Sequence, residues 1–150
     1  MPKVMIAEDD LLISEMMRDF LEHAGYEVCG VASTVAEAVE LGERHRPDLA
    51  VLDLRLADGG LGTEIVARLS RRDTLGILYA TANAGGITLS AADGDARITK
   101  PYSADDMIHA LKIVEEIVST GVASPPFPRG FQLLGKHQTH RLKAGSSHGG

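Results

Sequence analysis

With 150 residues, 44% of them apolar, and a mean hydropathy near zero, the chain has the length and composition of one ordinary folded domain, which excludes a disordered or low-complexity protein. No run approaches the roughly 18 to 20 apolar residues of a membrane span, and Met1-Pro2-Lys3 leads directly into a strand-like segment without a secretory signal. All 21 acidic residues precede residue 120, whereas Arg129, Lys136, Arg141 and Lys143 follow Gly121 with no acid among them, so the acidic body repels phosphates and direct DNA binding is not expected.

In chain order, short apolar runs alternate with helical patterns. Val4–Ala7 reads as a buried strand. Ile13, Met16, Met17, Phe20 and Ala24 keep one helical face apolar, with Asp10 as the expected cap and Gly25 as the stop. Glu27–Ala32 reads as the second strand; its Cys29, the single cysteine, behaves as a small buried hydrophobe and fits a reducing, cytoplasmic setting. Thr34 and Glu37 spell a capping box before Val35, Ala38 and Val39. Leu49–Leu52 is the third strand, and Ile65, Val66 and Leu69 mark the next helix. Gly76–Ala80 is the fourth strand; the Gly, Ala and Ser content of residues 85–94 predicts only a short, weakly anchored helix. Ala96–Thr99 is the weakest strand and is expected at an edge. Ser103 and Asp106 then open a helix carrying Met107, Leu111, Val114 and Val118.

Strand–helix alternation implies a parallel sheet with helices on both faces, where ligands sit beyond the carboxyl ends of the strands. From about Gly121 the composition changes. Pro125, Pro126, Pro128, Gly130, Gly135 and residues 145–150 predict a basic tail, 121–150, mobile or loosely docked, that sustains neither helix nor packed strand. Phe131, Leu133 and Leu134 could dock back on the body or on a partner. His137, His140 and His148 read as polar tail residues.

Four of the strand-like runs end on the residue types of phosphoryl chemistry: Glu8-Asp9-Asp10, Asp53, Thr81 and Lys100-Pro101. Mg²⁺ needs only one or two carboxylates in an oxygen shell, and Glu8, Asp9 and Asp53 supply them. Asp53 suits a nucleophile that forms an acyl phosphate. Thr81 offers a hydroxyl, the Ala82 N–H lies beside it, and Lys100 adds a cation before Pro101, where a cis peptide could fix the turn although cis is the minority state for X–Pro bonds. A threonine at a strand end or a surface lysine means little alone; the four together are specific.

The stretches KVMIAEDDLLI, PDLAVLDLRLADG, LYATA and ITKPY resemble the receiver domain of two-component response regulators over residues 1 to about 120. The resemblance implies a flavodoxin-like (βα)5 three-layer sandwich with strand order 2-1-3-4-5, and Asp53 as acceptor of a phosphoryl group from a sensor histidine kinase or a histidine phosphotransfer protein. It implies Mg²⁺ on Glu8, Asp9, Asp53 and the backbone carbonyl of Arg55, with Thr81 and Lys100 as switch hydroxyl and lysine. Arg55 and Asn83 fall where dephosphorylation is tuned.

Arg97 departs from the pattern, because it stands where the family carries a switch aromatic. Tyr79 and Tyr102 are the alternatives, and the chain resembles an atypical alphaproteobacterial subgroup with a Phe/Tyr-Ala-Thr signature. Output in the family leaves through the fourth helix, fifth strand and fifth helix, here about residues 85–119. With no output domain evident, the implied role is a stand-alone receiver acting on a protein partner that the sequence does not name, or a phosphate shuttle or sink. A non-phosphorylated binding module is disfavoured because the acid pair, Asp53 and Lys100 are intact. A haloacid-dehalogenase-type phosphatase is disfavoured because Asp53 is followed by Leu54-Arg55 without a second acid, so no enzymatic turnover of a separate substrate is expected.

Overall fold

The computed structural model describes residues 1–70, 72–82 and 87–135. The expected run of elements forms with nearly the expected bounds: β1 (Lys3–Ala7), α1 (Leu11–His23), β2 (Glu27–Ala32), α2 (Val35–His45), β3 (Leu49–Leu52), α3 (Gly62–Arg68), β4 (Gly76–Thr81), β5 (Ala96–Thr99) and α4 (Ala104–Thr120). The caps follow the side chains that the sequence offers. The Asp10 carboxylate accepts the Ile13 N–H at 3.2 Å, the Thr34 hydroxyl accepts the Glu37 N–H at 3.1 Å, and the Ser103 hydroxyl accepts the Asp106 N–H at 3.0 Å. Glu37 reaches back to the Ser33 N–H at 2.9 Å, one residue earlier than a capping box requires. The Gly25 φ of +100° lets the chain turn sharply after α1.

The first five strands pair in parallel in the order β2-β1-β3-β4-β5. Alternate residues of each strand feed two cores. Val4, Ile6, Val51, Leu78 and Ile98 pack against Met17 and Leu21 of α1 and against Met107, Leu111 and Val114 of α4. On the other face Met5, Ala50, Leu52, Ile77 and Tyr79 meet Val35 and Ala38 of α2 and Ile65 and Val66 of α3. Each large side chain so buried stabilises the fold by about 1.5–3 kcal/mol relative to exposure. Among the described residues no helix is long and apolar enough to cross a membrane.

Three expectations need correction. The sheet has a sixth strand, β6 (Phe131–Leu133), which pairs antiparallel with β5: Ala96 opposite Leu133, Arg97 opposite Gln132, Ile98 opposite Phe131. The stretch expected to sustain no packed strand therefore supplies one, and β5 is not an edge strand. Three residues suffice because Phe131 and Leu133 pack beside Ile113, Ile117 and Ala123 while the exposed backbone edge of β5 gains partners. Leu134 is buried in the opposite core.

The third correction concerns the connection from β4 to β5, where five βα units predict a helix. Among its described residues, 87–95, there is none. The Asp93 carboxylate accepts the Ser90 N–H at 2.8 Å and the Asp93 N–H donates to the Ser90 carbonyl at 2.9 Å, so local side-chain bonding replaces a helical ladder. Ile87 and Leu89 still pack on the Tyr79 face of the sheet. Asn83, Gly85 and the calls on Lys136, His137, His140, Arg141, Lys143, His148 and residues 145–150 lie outside the described residues.

Candidate functional site

Parallel register brings the ends of β1 and β3 side by side, with Ala7 opposite Leu52, and the residues that follow each strand emerge together. Backbone bonds fix them there. The Asp53 N–H donates to the Ala7 carbonyl at 2.8 Å and the Glu8 N–H to the Ala32 carbonyl at 2.9 Å. On the far side of β4, the Lys100 N–H donates to the Thr81 carbonyl at 2.8 Å. The Lys100–Pro101 peptide is cis, the option that the sequence left open.

One carboxylate oxygen from each of Glu8, Asp9 and Asp53 lies within 4.8 Å of the others. The Lys100 ammonium bridges two of them, donating to Glu8 Oε1 at 3.0 Å and to Asp53 Oδ2 at 3.3 Å. The second Glu8 oxygen accepts the Asp10 N–H at 3.0 Å, which holds the carboxylate while Asp10 caps α1. Burial is graded: Glu8 is 4% exposed, Asp53 is half-buried and Asp9 faces solvent.

Burial, joined by the charge of Asp53, pushes the Glu8 carboxyl above its ordinary value, although the Asp10 amide and Lys100 pull the other way. Burial also pulls against a charged Lys100. The hydrogen bond to Glu8 and the carboxylates of Asp53 and Glu8 outweigh it, so the ammonium is held above the ordinary lysine range. Three carboxylates against one ammonium leave a net negative pocket of hard oxygen donors, the chemistry that a small divalent cation satisfies.

Thr81 is buried at the end of β4, and its hydroxyl donates to the Ala82 carbonyl at 2.8 Å, while Ala82 is exposed. Arg55 sits in the loop after β3, bridged to Leu61 with its side chain in solvent. The two candidate tyrosines part company. Tyr79 is fully buried on the α3 side of the sheet, and its hydroxyl donates to the Asp93 carbonyl at 2.7 Å, away from the carboxylates. Tyr102 stays beside Lys100, in a groove of about 320 Å³ lined by Ile13, Met16, Met17, Phe20 and Pro101. Burial pushes its phenol up to about 12. Arg97 lies between Tyr79 and Gln132 on neighbouring strands, its Nε buried without a hydrogen-bond partner among the described residues.

One supporting residue escaped the sequence reading. Gly62 opens α3 and packs so closely on the Asp53 backbone that a Cβ there would run into the Asp53 carbonyl oxygen. Its signal was a glycine directly after a turn and before a helix, a pattern with many structural causes.

Residues 4–112 match the family described as the response regulator receiver domain. The polar-differentiation response regulator DivK of Brucella anthropi is 34% identical over 123 residues, which cover 75% of this chain and 95% of DivK. The transcriptional regulatory protein PdtaR of Mycobacterium tuberculosis is 32% identical over 114 residues, 74% of this chain and 55% of PdtaR. This chain thus spans about half the length of PdtaR. Among solved structures, the signal receiver domain of a modulated diguanylate cyclase from Desulfovibrio desulfuricans G20 superposes with a TM-score of 0.68 at 27% identity, covering 81% of this chain and 98% of that one. The response regulator PhyR from Brucella abortus gives 0.62 at 27% identity, covering 80% and 52%. Alternating β and α elements, acids gathered at the carboxyl edge and these likenesses lead to one conclusion: the chain belongs to the response regulator receiver family.

Proposed function

We propose that Asp53 accepts a phosphoryl group from a phosphohistidine on a sensor histidine kinase or a histidine phosphotransfer protein, and that the protein signals by binding an as yet unidentified downstream protein in the cytoplasm. The observation that carries this reading is the ammonium of Lys100 shared between Glu8 and Asp53 beside an exposed Asp9. In the transfer, an Asp53 carboxylate oxygen forms the new O–P bond as the N–P bond to the donor imidazole breaks, and the imidazole leaves with the bonding pair. Asp53 is half-buried and reachable from solvent, whereas Glu8 is enclosed and already engaged at both oxygens, which favours Asp53 as acceptor.

The oxygen donors fit Mg²⁺, with Glu8, Asp9 and Asp53 as its side-chain ligands and the Arg55 carbonyl as a further oxygen. When bound, Mg²⁺ supplies charge neutralisation for the phosphoryl oxygens in the transition state. Lys100 holds the Glu8 and Asp53 oxygens in place and stands ready to pair with a phosphoryl oxygen. Thr81, by turning its hydroxyl from the Ala82 carbonyl, offers that oxygen a hydrogen bond.

Incubation with acetyl phosphate and Mg²⁺, read on a phosphate-affinity gel, tests the reading. A shifted band that disappears with EDTA or with Asp53→Ala is expected. No shift in the folded wild-type protein would refute it.

A further inference from the structure

We propose that residues 122–134 form a strap that occupies the outer edge of β5 and lets go of it when a phosphoryl group arrives at Asp53; the inference rests on the phosphoryl reading above. The carrying observation is a pair of consecutive amides at the end of β5. The Thr99 N–H points outward and donates to the strap's Gly130 carbonyl at 3.1 Å, while the next amide, Lys100 N–H, points inward and donates to the Thr81 carbonyl at 2.8 Å. One residue, Thr99, thus joins the strap to Thr81 and Lys100, which a phosphoryl oxygen would draw toward itself: the peptide plane before its Cα bonds the strap and the plane after it bonds Thr81. Any rotation about the Thr99 backbone that follows Thr81 or the Lys100 side chain weakens the bond to Gly130.

The closed strap is built to be marginal. β6 has only three residues. It is entered through Gly130, whose φ of +77° is a turn conformation that glycine adopts readily. Gln132 lies opposite Arg97, whose buried Nε has no hydrogen-bond partner among the described residues, so the pairing does not satisfy that group. Against this stand the buried Leu134, its N–H bonded to the Asp95 carbonyl at 3.0 Å, and the packing of Ala123, Phe131 and Leu133 beside Ile113 and Ile117 of α4. Opposed terms of this kind make a two-state element that a neighbouring site can bias. Release frees a β5 edge already shown to accept an extended segment with alternating apolar residues, as Phe131-Gln132-Leu133 is.

The test uses the full chain with beryllofluoride and Mg²⁺, a phosphoryl mimic that binds without turnover. Hydrogen exchange at the Thr99 and Leu134 amides should quicken about tenfold or more on saturation, while the Asp53 amide in the sheet interior stays slow. Coupling is reciprocal, so closing the strap covalently must disfavour the mimic. In a Cys29→Ala background, Ala96→Cys with Leu133→Cys, oxidised across facing positions of β5 and β6, should bind beryllofluoride about fivefold or more weakly than the same protein reduced. Beryllofluoride binding with unchanged exchange at Thr99 and Leu134, or with equal affinity in the oxidised and reduced pair, overturns the strap and leaves the phosphoryl reading intact. Failure of beryllofluoride to bind at all removes the phosphoryl reading and the strap coupling together.

Discussion

Replacing Lys100 with methionine tests the electrostatic logic of the site directly. The ammonium lies 3.0 Å from Glu8 Oε1 and 3.3 Å from Asp53 Oδ2, and the Glu8 side chain is only 3% exposed. Methionine keeps an apolar stem in the groove that Met17 and Tyr102 also line but leaves three carboxylates close together with no cation. Breaking a buried ion pair costs about 3–5 kcal/mol. Because the lysine side chain is 21% exposed and water screens part of the interaction, the expected loss is about 2–3 kcal/mol. For a chain of this size that lowers the melting temperature by roughly 5–10 °C. The assay is thermal unfolding followed by circular dichroism, in EDTA and again with Mg²⁺. Lys100→Met should melt earlier in EDTA and recover more than the wild type when Mg²⁺ is added, since the cation answers a larger imbalance. Adding Asp53→Asn should restore part of the loss without metal. If Lys100→Met melts with the wild type in EDTA, the three acids do not depend on that ammonium and the reasoning fails.

Gly62→Ala should destabilise by about 1–3 kcal/mol through collision with the Asp53 carbonyl, and slow phosphoryl uptake from acetyl phosphate; a urea midpoint and a gel rate equal to wild type would exclude the contact. Tyr79→Phe removes the 2.7 Å bond to the Asp93 carbonyl, so a loss of about 1 kcal/mol and faster proteolysis within residues 87–95 are expected, against no change if that bond does not hold the loop. The Tyr102 phenol is raised to about 12, so folding favours its protonated form. Its contribution is fully present below the ordinary tyrosine value of 10.0 and is lost as pH climbs from there through about 12. Lys100, also raised, acts in the same direction at high pH. Urea midpoints across that range should therefore fall less steeply in Tyr102→Phe, and parallel curves would show that the phenol is not buried as described.

Much of the fold was legible because its signals are local. Four-to-six-residue apolar runs marked five strands, and Asp10, Thr34 and Ser103 stood at helix starts with side chains suited to cap there. Glu8, Asp9, Asp53 and Lys100 were legible as a group because parallel strands emerge on one edge, so strand-end residues converge whatever the details of packing. That the described residues 87–95 form no helix was half visible: Gly, Ala and Ser lowered the helical expectation, but the Ser90–Asp93 turn found there depends on two side chains meeting. β6 was not legible, since a three-residue alternation is too short to stand out among prolines and glycines.

What the amino-acid order determined unaided was the sequence of elements and the strand ends on which the acids and the lysine sit, and hence a cluster of three carboxylates beside one ammonium. Periodicity and capping act over a few residues and need no knowledge of neighbours in space. Only the tertiary structure decided that Tyr79 turns toward Asp93 while Tyr102 remains beside Lys100, and that Phe131–Leu133 closes over β5. Those outcomes depend on which backbone edge and which side of the sheet are left unfilled once the other elements have packed.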